Sequence, residues 1–172
     1  MNQTIYPIGI QNFEKIRKDG YLYIDKTALV YQLVTTGQYY FLSRPRRFGK
    51  SLTLAMLEAY YDVRYADQFD ELFGKLYIGQ HPTPIHNQFL IMRFNFSEVS
   101  SNINEVEESF RMHCCGKLSD FVYRYEHLLG KDIWKVLDEK TKEEPGAFLS
   151  AINTYATRKG DIKIYLLIDE YD

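Results

Sequence analysis

An α/β fold in three layers around a mostly parallel sheet is predicted by three stretches of the sequence. Tyr39-Tyr40-Phe41-Leu42 is an aromatic run of strand character that breaks at Ser43 into a basic loop, after which Lys50-Ser51 open a run at helical spacing. Gln88 to Phe96 is a second strand, with Arg93 near its end or facing an edge. Ile162 to Ile168 is continuously apolar, as a buried parallel strand reads, and stops at Asp169-Glu170. Helical patterns separate the three, the alternation that gives a parallel sheet with covered faces.

Taken in order, Pro7 to Ile10 reads as an extended entry, and Phe13, Ile16 and Arg17 as a short helix ending at Gly20. Tyr21-Leu22-Tyr23-Ile24 reads as a short strand. Asp25-Lys26-Thr27 offers an N-cap to a helix whose apolar face is Leu29, Val30, Leu33 and Val34. The helix opened by Lys50 is apolar on almost every side through Leu52, Leu54, Met56, Leu57 and Tyr60, so it is expected to be buried. Phe69, Leu72, Phe73 and Leu76 form a short amphipathic piece. Ile103, Val106, Phe110, Cys114, Leu118, Phe121, Tyr125 and Leu128 mark a long helix ending at Gly130. Asp132 to Glu144 is a charged amphipathic stretch around Ile133, Trp134 and Leu137, and Pro145 opens a helix with Phe148, Ile152 and Tyr155 inward that stops at Gly160.

Composition narrows the classes. The 172 residues are 45% apolar and 26% charged, enough for one domain with a real core. A net charge of −2 supplies no global attraction to nucleic acid or anionic membrane. The two cysteines, Cys114 and Cys115, are adjacent and have no third partner, which points to a reducing compartment and, with no apolar run of about 18 residues, to a cytoplasmic chain without membrane contact. His81 and His86, in a Pro-rich loop, read as solvated side chains, and Cys115 as a structural one. The aromatic residues, 16% of the chain, are spread without interleaved basic runs and read as core.

The chemistry sits at two strand ends. Gly49-Lys50-Ser51 is the last half of a P-loop, in which backbone N–H groups at a helix N-terminus cradle phosphate. Lys50 would reach the β and γ phosphates of ATP, the Ser51 hydroxyl would hold Mg²⁺, and Arg46, Arg47, Phe48, Gly49 and Leu52 would complete the loop. The first glycine of the pattern is replaced by Arg44, and Pro45 donates no N–H, so the cradle is one donor poorer. In a parallel sheet the Asp169-Glu170 end falls on the same edge. Asp169 would bind Mg²⁺, directly or through a water, and Glu170 would activate the water that attacks the γ-phosphate. The expected fold is therefore a P-loop NTPase-type three-layer sandwich, with residues 1–37 leading in and 38–172 running from the phosphate loop to the Asp-Glu strand.

Tyr23-Ile24-Asp25-Lys26-Thr27, then Phe41-Leu42-Ser43-Arg44-Pro45-Arg46-Arg47-Phe48-Gly49-Lys50-Ser51-Leu52, then Leu167-Ile168-Asp169-Glu170-Tyr171-Asp172, together resemble the bacterial AAA-ATPase-like family. The resemblance implies ATP and Mg²⁺ as cofactors and a catalytic glutamate. It also implies a longer parent, often fused to a nuclease-like domain of the PD-(D/E)XK type, through which alone nucleic acid would be met. This chain departs by stopping after its Asp-Glu strand, before the strand expected to carry a polar sensor residue, so it reads as a fragment whose sheet is incomplete at the C-terminus. An unpaired sheet position there would invite homo-oligomers. Two other readings stand beside ATP hydrolysis: a nucleotide-binding switch without turnover, and a nucleic-acid contact through Arg44, Arg46 and Arg47.

Overall fold

The computed structural model describes residues 5–37, 39–43, 48–160 and 162–170. Met1–Gln88 forms one compact unit and Phe89–Asp172 another.

The first unit is helical. Helix α1 (Phe13–Lys18) starts at Asn12, whose side chain accepts the Lys15 N–H at 2.9 Å. Helices α2 (Thr27–Thr36), α3 (Lys50–Tyr61), α4 (Phe69–Phe73) and α5 (Tyr77–Gln80) follow. Their apolar faces close on Phe13, Ile16, Met56, Tyr60, Leu72, Phe73 and Ile78, all buried. Aromatic rings meet edge to face and tilted, Phe13 on Phe73 at 5.0 Å and Tyr60 on Phe73 at 5.6 Å.

Between these helices the backbone is held by side chains. Asp62, fully buried at the end of α3, accepts from the Arg64 N–H at 2.9 Å and from its guanidinium at 2.8 and 2.5 Å. Asn87 donates to the carbonyls of Ala59 and Asp62, at 3.2 and 2.7 Å, and returns the chain to α3. Asp25 accepts the Thr27 N–H and hydroxyl at 2.8 and 2.6 Å, and with its other oxygen the Tyr77 N–H at 2.8 Å. The Thr27 hydroxyl in turn accepts the Ile78 N–H at 3.1 Å. The Asp-Lys-Thr triplet thus ties the start of α2 to the start of α5.

Two expected strands are not formed. Neither Tyr21–Ile24 nor Tyr39–Leu42 enters a ladder. The described residues of this unit contain no strand to pair with, and β structure is stable only when paired. The Tyr40 hydroxyl instead exchanges hydrogen bonds with the N–H and carbonyl of Gly37.

The second unit holds the sheet. Strand β1 (Phe89–Asn95) and strand β2 (Lys163–Asp169) pair in parallel, in register from Phe89 opposite Lys163 to Asn95 opposite Asp169. Between them run α6 (Val106–Leu129), α7 (Ile133–Val136), α8 (Glu139–Glu143) and α9 (Pro145–Lys159). Helix α6 turns Cys114, Leu118, Phe121, Val122, Tyr125 and Leu129 inward. Its face closes on Leu129, and Leu128 is turned out, while Ile103 lies before the helix and is exposed. Proline at the first turn starts α9, as expected, and Phe148, Ile152 and Ala156 are its buried residues. The Tyr125 hydroxyl accepts the Ile91 N–H at 2.9 Å, satisfying a strand donor from a helix.

Strand β2 differs from a strand buried on both faces. Leu167 and Asp169 are buried, but Leu166 and Ile168, on the opposite face, are 47% and 40% exposed. The described chain is a mixed α/β protein, mostly helical with one parallel strand pair. None of its described helices is long and apolar enough to cross a membrane.

Candidate nucleotide site

The loop end belongs to the first unit. Gly49 adopts the left-handed conformation, φ 79° and ψ 22°, immediately before α3. A Cβ there would meet nothing within 4 Å, so backbone conformation rather than space calls for glycine. Its carbonyl accepts the Thr53 N–H and hydroxyl, both at 2.9 Å, and fixes the first turn. That turn carries no acidic residue. A helix start carries the positive end of the helix dipole, and a first turn without acidic residues leaves that end favourable to an anion. Lys50, Ser51 and Leu52 are half-buried on this turn, and Phe48 is exposed. Leu54, Met56 and Leu57 anchor the helix beneath them. Arg46 and Arg47, with Arg44 and Pro45, lie outside the described residues.

The strand end belongs to the second unit. Asp169 closes β2, buried, opposite Asn95 of β1. Its Oδ1 accepts the Glu170 N–H at 3.1 Å, and its Oδ2 lies 3.8 Å from Arg93 Nη2. Glu170 is exposed and takes a positive φ of 52°, a conformation that costs a residue with a Cβ about 1 kcal/mol or more. The chain therefore leaves the ladder abruptly at the expected general base. Tyr171 and Asp172 lie outside the described residues. The structure thus groups Gly49, Lys50, Ser51 and Leu52 on one helical turn, and Asp169 with Glu170 at one strand end.

A hydroxyl and a carboxylate are hard oxygen donors, the kind Mg²⁺ takes in ones and twos beside phosphate and water; by donor chemistry Ser51 in the first unit and Asp169 in the second are each of that kind. Among the described residues, no group of three or more His, Cys, Asp or Glu could hold a metal. Of the two histidines expected to be solvated, His81 is exposed and His86 is not fully so. His86 is half-buried, with Nδ1 2.7 Å from the Thr83 carbonyl and its ring 4.5 Å from Phe69, while His81 stacks on Tyr77 at 4.4 Å. Burial pushes the thiols of Cys114 and Cys115 up, away from nucleophilic reactivity. The residue that sequence reasoning did not connect to the site is Arg93. Its signal was a lone charge inside an apolar strand.

The chain is an α/β protein with a left-handed glycine before a Lys-Ser helix start. The family model for predicted AAA-ATPases matches residues 7–172, and the chain belongs to this AAA-ATPase-like family. An uncharacterized protein in the vnfD 5' region of Azotobacter chroococcum mcd 1 is 33% identical over 182 residues, an alignment covering 100% of this chain. The chain spans 30% of the length of that relative. No solved structure matches.

Proposed function

We propose that this chain binds Mg-ATP and forms the nucleotide-handling part of an ATPase with a P-loop three-layer core. The observation that carries the reading is the start of α3, where a left-handed Gly49 presents Lys50 and Ser51 on a helix turn free of acidic residues. Lys50 pairs with the β and γ phosphates, with Arg46 and Arg47 adding positive charge. Ser51 and Asp169 hold Mg²⁺. Glu170 orients the attacking water and takes its proton. Residues 1–37 lead into this core and 38–172 carry it.

The test is a titration of the 172-residue chain with a fluorescent ATP analogue and Mg²⁺, with Lys50→Ala alongside. Losing a charge-assisted contact to phosphate weakens affinity about 10- to 100-fold. Equal affinity in the two proteins would sink the assignment of the loop. Turnover that is the same in Glu170→Gln as in the parent chain would favour the second reading, a nucleotide switch without hydrolysis.

A further inference from the structure

A cleft of about 670 Å³ lies within the second unit, between the turn Phe96–Glu98 that follows β1 and the first turns of α6. Glu98, Glu105, Glu108, Met112 and His113 are among the residues that line it. The Ser100 N–H donates to the Ser109 hydroxyl at 2.9 Å and ties the loop wall to the helix.

The polar side chains named are acceptors, and they are unequally satisfied. Glu98 is paired with Lys117 at 3.2 Å, and Glu108 accepts the Arg111 guanidinium at 2.9 and 2.6 Å. Glu105 has no cation beside it among the described residues, and its Oε2 accepts the Ser100 hydroxyl at 3.3 Å. The His113 side chain is 7% exposed, with Nδ1 3.4 Å from Oε2 of Glu98. Burial, then the charge of Lys117, hold its pKa below the usual 6.5 against the pull of Glu98, so the ring is neutral at neutral pH. The carboxylate beside Nδ1 favours the hydrogen on that nitrogen, which makes Nε2 an acceptor. Nε2 is buried and has no hydrogen-bond partner among the described residues. A buried acceptor without a donor carries a desolvation cost that a donor removes.

The unmet demand is for N–H donors and positive charge. A metal ion does not supply the first, and among the described residues no group of three or more His, Cys, Asp or Glu could hold one. A guanidinium has five N–H donors in one plane and no acceptor, and its apolar stem can lie along Met112. Val106 and Phe110, on the same helix as Glu108, are exposed. Phe110 packs on Phe96 at 5.2 Å, and the Phe96 ring also meets His113 at 5.8 Å. Acidic and apolar side chains thus adjoin at the start of α6. A small cation would use the acidic ones alone, whereas a peptide with an arginine next to an apolar residue complements both. Reaching Nε2 takes a side-chain movement at the wall, which is common when interfaces form.

We propose that this cleft docks a peptide segment in which an arginine stands beside an apolar residue. The guanidinium donates to Glu105 and to Nε2 of His113, and the apolar neighbour covers Val106 and Phe110.

The experiment follows the ¹⁵N-labelled 172-residue chain by NMR, ring nitrogens included, during titration with the capped peptide acetyl-Leu-Arg-Leu-amide. The comparison ligands are the same peptide with citrulline for arginine, and ethylguanidinium. Saturable shifts are expected at Glu105, Phe110 and His113 Nε2. The citrulline peptide, and Glu105→Gln with the arginine peptide, should each bind about tenfold more weakly, as loss of a charge-assisted contact predicts. Ethylguanidinium, which lacks the apolar contact, should also bind about tenfold more weakly. Equal binding of the arginine and citrulline peptides, or no saturable shift at the cleft, overturns the proposal without depending on any variant. Ethylguanidinium binding as tightly as the peptide overturns the peptide segment as occupant. A shift at Glu105 that leaves Nε2 in place overturns the role of His113.

Discussion

In the first unit, the backbone between helices is held by short polar side chains: Asp62 with Arg64, Asn87 on the end of α3, and Asp25 with Thr27 on α5. In the second unit side chains also hold turns, Asn95 accepting the Ser97 N–H and Ser109 the Ser100 N–H, but the strands are held by a parallel ladder from Phe89 and Lys163 to Asn95 and Asp169, with one donor of β1 satisfied by Tyr125. The first arrangement concentrates stability in a few polar side chains, of which Asp62 and Thr27 are fully buried. The second spreads it over repeated backbone bonds. Single substitutions should therefore hurt the first unit more, and the two units should respond to different conditions.

The largest effect is expected from Arg64→Met, which removes the guanidinium donors of the fully buried Asp62 carboxylate. Breaking such a pair costs about 3 kcal/mol or more. Hydrogen exchange would place the loss of protection in α3 and α4, and protection unchanged there would break the comparison. Tyr125→Phe is the matched perturbation in the second unit. It leaves the Ile91 N–H without its acceptor, at a cost of about 1–3 kcal/mol, read from the urea midpoint.

The two ends of the candidate site should respond in opposite directions. Gly49→Ala forces a Cβ into a left-handed φ, so it loses about 1–2 kcal/mol of stability together with nucleotide affinity. Glu170→Gly relieves a left-handed φ and gains or holds stability while losing turnover. If both variants lost stability, the backbone argument at Glu170 would be wrong.

The smallest effects separate the units by pH. Burial, then the charge of Lys117, lower the His113 pKa below its usual 6.5, against the opposing pull of Glu98. A depressed folded value means that this contribution is complete above pH 6.5 and is lost as pH falls from there toward the folded value. Asp25 is raised by burial, but the hydrogen bonds from Thr27 and Tyr77 and the charge of Arg17 outweigh that and leave it below its usual 3.8. Its contribution is present above pH 3.8 and disappears only below it. Circular dichroism against pH should show His113→Gln flattening the upper limb and Asp25→Asn the lower one. A single shared limb would contradict the difference.

Helices were legible from the sequence because their signals are local: Lys50 opens α3, and Pro145 and Gly160 frame α9. Strand β2 was legible because a long apolar run has few alternatives. Tyr39–Leu42 was misread as a ladder strand because pairing belongs to two segments, and a single segment's composition does not supply the second. Gly49-Lys50-Ser51 marked the candidate loop end in the sequence, and the structure adds that Gly49 is left-handed just before α3. Arg93 was not, because its meaning depends on the register that sets Asn95 opposite Asp169. Asp62 was invisible for a similar reason, since an acidic residue at a helix end usually reads as solvated.

The strands of the parallel pair lie about seventy residues apart in the chain, and this separation bears on how the protein is made. At the usual pace of translation, β1 leaves the ribosome roughly 4–14 s before β2 exists. Contacts of such long range form late, because closing the intervening loop costs entropy before pairing returns anything. Helix α6 emerges in the interval, and the Tyr125 hydroxyl brings an acceptor for the Ile91 N–H with it. A nascent β1 thus meets a helix first and a strand second, which shields an apolar segment at the stage when it is most prone to stick to another chain.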